Sequence, residues 1–545
     1  MLSRRELLTA FLGAPLGAAL SAGCSSENLT ARAPLPGGFV EPSMKMGHAL
    51  RSGPPSDGVF ASAPTRNVRV AILGGGPAGL SAGWQLMRQG ITDFALLELE
   101  SKLGGTSVSG ESHATSYPWG AHYVTTPLAE HADLITLLDE MNALERSPAS
   151  PHPLGNEELS VREPKERVFY KGFFYPSLYL RIGASQDDLA QLARFEAVIE
   201  RYAALRDAEG RRAFAIPVDT SSDDPELTQL DASSAQAWLS AQGFSSPRLF
   251  KVLEHACRDD YGLSLATTSA WALIFYYASR KDPAVDHESE VITWPEGNGA
   301  LVAHLSARFR DRIQTGKLVV DVVPRGDRVH IHVLDTQAQR AERVIAERVI
   351  AATPRFISNR IVRPLRDAGP TTQPSEPPGF AHGAWLVANL HLHKRPISRG
   401  APLAWDNVLY DSPSLGYVCA THQRGRDFGP TVFTYYLPMI DDDPRAGRKR
   451  LQDASFEQLA ETVCSDLERA HRDLRACLSR IDLCRFGHGM VQPRVGHVFR
   501  ADRRAAALPV QGIHFAHSDL SSIALFEEAF HHGVRAAREV AGVLG

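Results

Sequence analysis

The residues best placed to do chemistry form a short glycine-rich run, Gly74-Gly75-Gly76-Pro77-Ala78-Gly79, with the spacing G-x-G-x-x-G. Each conserved-spacing glycine has a physical role in holding phosphate. Gly74 permits a tight turn, Gly76 lets the main chain approach a pyrophosphate, and Gly79 lets a helix pack closely on a strand. A helix starting here would present free N–H groups and the positive end of its dipole to the phosphates. Glu98 follows about twenty residues later, where a carboxylate accepts hydrogen bonds from ribose hydroxyls and disfavours a 2′-phosphate. The flanking pattern supplies the elements this arrangement needs. Asn67–Leu73 is a short β-branched apolar run and predicts a buried strand, Leu80–Gln89 predicts a helix, and Phe94–Leu99 predicts a second strand ending at Glu98.

Other reactive side chains carry less pattern. His391-x-His393 and His330-x-His332 have the i,i+2 spacing that puts two rings on one face of a strand, but no third ligand accompanies either, so no metal site is expected. The six cysteines include no C-x-x-C, which excludes a thioredoxin-type dithiol and a zinc knuckle. The acidic run Asp441-Asp442-Asp443 reads as a solvated loop, and the aromatic stretch Trp271–Tyr277 as core.

Further segments match the glycine motif at a distance. Gly104-Gly105-Thr106 lies six residues past Glu98. Trp294-Pro295-Glu296-Gly297-Asn298-Gly299-Ala300-Leu301 has the form P-x-G-x-G-x-L. Arg348–Pro354 runs as a strand into a proline. Ala516, Asp519 and Ala529 then precede Gly533-Val534-Arg535-Ala536-Ala537. Together these resemble the FAD-dependent superfamily of flavin amine oxidases, phytoene desaturases and protoporphyrinogen oxidases. The resemblance implies an α/β fold, a Rossmann-like FAD/NAD(P)-binding domain (three-layer ββα) with an inserted α+β substrate domain. It implies non-covalent FAD held by Gly74, Gly76, Pro77, Ala78, Gly79, Glu98, Gly104, Gly105, Thr106, Asp519 and Ala529, with Val323, at the end of strand Lys317–Val323, against the adenine. It implies that His122, in Trp119-Gly120-Ala121-His122, lies beside the flavin. His122 and His517 are the candidate catalytic groups, since a histidine titrates in the range needed to take a substrate proton. His531 and His532 are further candidates.

The resemblance implies a small-molecule substrate that gives a hydride to flavin N5, and an electron acceptor that is oxygen, a quinone or a cytochrome. Amine oxidation is the expected activity. Dehydrogenation of an apolar polyene or porphyrinogen-like substrate is the alternative, and a flavoprotein without turnover a third reading. The strand Gly383–His391 offers Ala388 or Asn389 where many amine oxidases carry a lysine.

Residues 1–24 read as an address. Ser3-Arg4-Arg5-Glu6-Leu7-Leu8 resembles a twin-arginine export motif, Leu7–Leu20 is apolar but too short to span a bilayer comfortably, and Ser21-Ala22-Gly23-Cys24 resembles a lipobox. A periplasmic or cell-envelope location follows as the expectation, with a membrane anchor through lipidated Cys24. Residues 25–66, rich in Ser, Pro, Gly and Ala, read as a linker. The FAD-binding part is then 67–125, 290–355 and 480–545, and the substrate part 126–289 and 356–479. At 545 residues, 43% apolar and 22% charged, the composition excludes a disordered or multi-span chain, and a net charge of −4 gives no basic surplus for nucleic acid.

Overall fold

The structure, a computed structural model, describes residues 35–40, 43–147, 150, 152–282, 291–369, 380–441 and 443–545. The export segment and Cys24 lie outside these residues.

The elements that position the site are, in chain order, β1 (Thr65–Leu73), α1 (Pro77–Arg88), β2 (Phe94–Leu97), α2 (Pro247–Tyr261), β3 (Lys317–Arg325), β4 (Arg328–Asp335), β5 (Arg340–Ala351), β6 (His382–Leu392), β7 (Thr431–Met439), β8 (Leu478–Val491), β9 (Ile513–Phe515) and α3 (Phe526–Leu544). The chain from Pro36 to Gly545 is built on two large sheets.

In the first sheet β2, β1, β5 and β9 are parallel, and β3, β4 and β5 form an antiparallel meander. The duplicated Glu-Arg-Val-Ile-Ala of β5 is one long strand with two neighbourhoods. Its first copy pairs with β4 and its second with β9. The helices α1, α3 and Gly299–Ala307 share one core with β1 and β2 through Val70, Ile72, Leu80, Leu86, Leu301, Phe530 and Val534. This is the expected Rossmann-like ββα arrangement.

Two glycines make that packing possible. A Cβ at Gly79 would stand 1.9 Å from the Gly74 carbonyl oxygen, and one at Gly533 would stand 2.2 Å from the Ala78 carbonyl oxygen. The first closes the turn onto α1, and the second lets α3 cross α1 backbone to backbone. Gly79→Val is therefore expected to cost about 3 kcal/mol or more by overpacking against main chain that has no room to move. A chemical denaturation curve checks this, and a wild-type midpoint would contradict it.

The second sheet has eight strands in the order Gly37–Phe39, β8, β6, β7, Gly416–Cys419, Asp406–Leu409, Glu166–Tyr170, Phe173–Pro176. The last two strands are joined by a hairpin at Lys171-Gly172, with both residues at positive φ of 47° and 94°. A helical layer holding Gln186–Ala204, Ala235–Ala241, α2 and Ala270–Ala278 has its own core around Tyr261, Trp271 and Phe275. The WALIFYY stretch is thus mostly core, as read. Among the described residues no helix is long and apolar enough to cross a membrane.

Two sequence expectations need correction. The described part of 25–66 is not a tether. Gly37–Phe39 adds in parallel to β8, the backbone N–H and hydroxyl of Ser43 both donate to the Glu100 carboxylate, and Phe60 is buried and stacked on His332 at 4.3 Å. One edge pairing and one aromatic anchor suffice to dock a segment whose composition reads as linker. The second concerns the boundary at 480, which falls inside β8. That strand pairs with β6 of the substrate-side sheet as far as Val491, so the chain returns to the nucleotide side only afterwards.

Candidate active site

A cavity of about 700 Å³ runs between the two sheets, within the usual range of ligand sites. At one end it is lined by Gly74, Gly76, Pro77, Ala78, Glu98, Gly105 and Thr106, and further along by His122, His517, Asp519 and Ala529.

The glycine loop has the geometry its spacing implies. Gly74 sits at φ 104°, where a side chain is strained, and α1 begins at Pro77 with Gly76 as its N-cap. A Cβ at Gly76 would meet nothing within 4 Å, so the space above it belongs to a ligand. Glu98 is fixed from one side only. Its Oε2 accepts the Gly75 N–H at 2.5 Å and its Oε1 accepts the Glu100 N–H at 2.7 Å. Burial pushes its carboxyl up, opposed by those N–H bonds, and each oxygen keeps lone pairs toward the cavity.

Gly79 and Gly104 do not line the cavity; they shape it. Gly104, at φ 118°, donates its N–H to the Gly75 carbonyl and so ties the second glycine pair to the first loop. Val323 is a correction. The cavity is lined by Lys317, Leu318 and Val319, at the start of β3, while Val323 pairs with His330 near the strand's far end. The reason is strand direction. The Lys317 N–H donates to the Glu98 carbonyl, so β3 leaves the nucleotide end as it proceeds.

Asp519 is fully buried and heavily bonded. Its Oδ1 lies 3.0 Å from His382 Nε2 and from His517 Nδ1, and its Oδ2 accepts the Arg355 N–H at 2.7 Å. The two histidines hold this carboxyl well below the usual range against the opposing effect of burial, which is the largest single influence on it. His517 is thereby committed to Asp519: its Nδ1 lies 3.0 Å from Oδ1 and 3.1 Å from the Asp519 main-chain nitrogen, donating to the first or accepting from the second according to tautomer. It lines the cavity as an orienting group, not as a free base. His531 and His532 lie elsewhere. His531 pairs with Asp219, and His532 bonds Ser521, with neither on the cavity wall.

His122 is different. Its Nδ1 is 3.3 Å from the Gly120 carbonyl and 3.2 Å from the Tyr436 hydroxyl, which itself donates to the same carbonyl at 3.0 Å. A carbonyl only accepts, so the network assigns the proton to Nδ1 and leaves a lone pair on Nε2. Burial pushes the ring down to about 4, so it is neutral near pH 7. Trp405 and Tyr436 flank it at 5.2 and 5.3 Å between ring centres. The P-x-G-x-G segment serves this residue too. A Cβ at Gly297 would come within 2.9 Å of His122 Cα, Thr293 Oγ1 donates to the His122 carbonyl at 2.6 Å, and Asn298 Nδ2 donates to the Tyr123 carbonyl at 3.0 Å.

The remaining wall escaped sequence reading. It is apolar at Trp119, Trp385, Val387, Leu415, Cys484 and Phe486. Trp385 and Val387 show which face of β6 turns inward; Asn389 shares that face by alternation but lies beyond the lining, donating to the Pro118 carbonyl and accepting from Thr434. The wall is polar at Tyr123, Asp259, Asp260 and Arg280, contributed by the last turn of α2 and the residue pair after helix Ala270–Ala278. No local motif marks them, although two adjacent carboxylates closing an amphipathic helix were a visible signal.

The residues present fit FAD. An open glycine, a half-committed Glu98, and the N-terminus of α3 with Phe526 and Ala529 on the wall line one continuous cavity.

Comparison with known proteins agrees. Residues 77–541 match the family described as flavin containing amine oxidoreductase. Among solved structures, a triple mutant of putrescine oxidase aligns with a TM-score of 0.64 at 17% identity, covering 88% of this chain and 100% of that one. Cyclohexylamine oxidase from Brevibacterium oxydans aligns at 0.60 and 17%, with the same coverage. A CLA-producing fatty acid isomerase from P. acnes aligns at 0.57 and 14%, covering 87% and 98%. At these identities the structures establish the fold alone.

Proposed function

The chain belongs to the flavin-containing amine oxidoreductase family and is an FAD-dependent oxidoreductase, and on that premise we propose that it oxidises a carbon–nitrogen bond of a small organic amine. The observation that carries this reading is His122, a neutral imidazole with its Nε2 lone pair free, in the same cavity as the glycine loop.

FAD, when bound, supplies the two-electron acceptor. A substrate held as the free amine meets the Nε2 lone pair of His122, which accepts its N–H and orients the nitrogen for departure of the hydride; a ring lowered to about 4 stays neutral throughout. Tyr436 and the Gly120 carbonyl hold Nδ1–H and fix the tautomer during that transfer. Trp119, Trp385 and Phe486 exclude water and confine the substrate chain. Loss of a hydride and a proton turns the amine into an imine, and water then releases ammonia and a carbonyl compound. The electrons leave to an acceptor: oxygen, a quinone or a cytochrome.

The apolar wall also suits dehydrogenation of a polyene-like substrate. The carboxylates on the opposite wall favour a cationic substrate. Turnover assays that measure ammonia and carbonyl product for each equivalent of acceptor reduced test the proposal. One ammonia per two electrons supports it, and acceptor reduction without ammonia overturns it. The placement we propose is the cell envelope, supported by Arg4-Arg5 and the apolar run before Cys24; labelling with a radioactive fatty acid in cells, compared with a Cys24→Ala variant, tests the anchor.

A further inference from the structure

The N-terminal segment is fastened to both large sheets. At its start, Gly37–Phe39 adds in parallel to β8 of the second sheet, from Gly37 opposite Ile481 to Phe39 opposite Leu483. Two more main-chain bonds extend that pairing, from the Ile481 N–H to the Pro36 carbonyl and from the Val40 N–H to the Leu483 carbonyl. The Phe39 ring meets Phe456 edge-on at 5.8 Å, and the Arg485 guanidinium lies 4.0 Å from its centre. At the other end Phe60 is buried against Leu318 and Val320 of β3 and stacked on His332 of β4, both in the first sheet. Asp57 adds ion pairs to Arg363 at 2.8 Å and to Arg325 at 3.3 Å.

Between these anchors the segment forms part of the wall at the nucleotide end of the cavity, through Val40, Gly47 and Leu50. Glu100 ties it down there. Its Oε1 accepts the Ser43 N–H at 2.8 Å and its Oε2 accepts the Ser43 hydroxyl at 2.9 Å. Glu100 also gives its own N–H to Glu98, at 2.7 Å, so the latch and the ribose-facing carboxylate are one hydrogen-bonded unit. Gly47 lies inside the short helix Met44–Ala49, where glycine weakens a helix. A Cβ there would meet no protein atom within 4 Å, as at Gly76. Leu50 belongs both to the cavity wall and to the Phe60 cluster, so the outer anchor and the wall are coupled by packing.

We propose that Pro36–Val40 and Ser43–Phe60 form a strap across the adenosine end of the FAD site, so that FAD leaves only when the strap lifts and the two anchors set its residence time. The inference rests on FAD as the cofactor and not on the amine substrate. An edge pairing of three residues, one aromatic stack and two latch bonds are few enough to open locally while the rest of the fold stays intact. Contacts that hold a bound molecule in place act chiefly on its release rate and little on its association rate.

Two variants loosen opposite anchors at residues that do not line the cavity. Phe60→Ala empties the anchor on the first sheet. Gly37→Val puts a Cβ 1.7 Å from the Ile481 carbonyl oxygen, on a residue at φ 142°, and breaks the pairing with β8. Each holoenzyme is chased with excess 5-deaza-FAD, and release of FAD is followed in the visible spectrum. Release is expected to be at least about 10-fold faster in both variants, with association no slower and the spectrum of bound flavin unchanged. A wild-type release rate in both, or slower association as the whole effect, overturns the inference. Should a variant fail to fold, hydrogen exchange of the wild type decides. The amides of Ser43–Leu50 exchange more slowly in holoprotein than in apoprotein if the strap closes over FAD, and equal exchange overturns the inference. A wild-type chain that takes up no FAD removes the cofactor premise itself, an outcome distinct from a variant that merely releases it faster.

Discussion

Gly76→Asp gives a folded protein without flavin. A Cβ there meets no protein atom within 4 Å, so the fold leaves room for the substitution to begin. The added side chain enters the space over the N-terminus of α1 and sets a negative charge against the pyrophosphate. At about 4 Å and an effective dielectric near 20, one such charge pair repels by about 4 kcal/mol, close to a 10³-fold loss of affinity. The expected preparation is colourless, with wild-type far-ultraviolet circular dichroism. The contrast with Gly79→Val is informative because only three residues separate them. Gly79 is closed in by main chain and its variant loses stability, whereas Gly76 faces ligand and its variant loses the ligand. A yellow Gly76→Asp protein would contradict the assignment of the phosphate site.

His122→Asn lowers kcat by about 10-fold or more through loss of the acceptor that orients the amine, with a much smaller change in KM. Asparagine keeps a donor toward the Gly120 carbonyl but is too short to place an acceptor where Nε2 stood. The wild-type rate carries a limb near pH 4, where the ring becomes charged, and the variant should lack that limb. Stability has the same sign. The folded-state pKa of His122 lies below its ordinary value of 6.5. The unfolded chain therefore takes up a proton first, and stability held above pH 6.5 is lost as pH falls toward 4. The variant should be less sensitive to acid over that window. Parallel pH–rate and pH–denaturation profiles read both effects, and an unchanged kcat would remove His122 from the chemistry.

What the sequence made legible was what depends on short-range geometry. The turn from β1 to α1 is dictated by Gly74, Gly76 and Gly79 within a few residues, and Glu98 follows at a distance set by one helix and one strand. His122 was reachable because its neighbours Trp119-Gly120-Ala121 carry a local pattern. The misses depend on how distant segments meet. Val323 was placed at the wrong end of β3 because strand direction relative to Glu98 is not written in the strand itself. β8 was split by an expected boundary because its exposed positions and Gly487 and Gly489 blur the alternation of a strand. Residues 43–50 read as tether, yet Gly47 and Leu50 line the nucleotide end of the cavity. Asp260 gains its partner only from the fold, which brings Arg280 to it from just past the end of another helix.

The central claim, an amine-oxidising flavoenzyme whose cavity begins at Gly74 and ends at Asp259, is tested most directly by anaerobic reduction. Purified yellow protein is mixed without oxygen with monoamines, α,ω-diamines and an apolar polyene, and the visible flavin absorbance is followed. The account predicts bleaching by amines, with one carbonyl product formed for each flavin reduced. Bleaching by the polyene with none by any amine would contradict it.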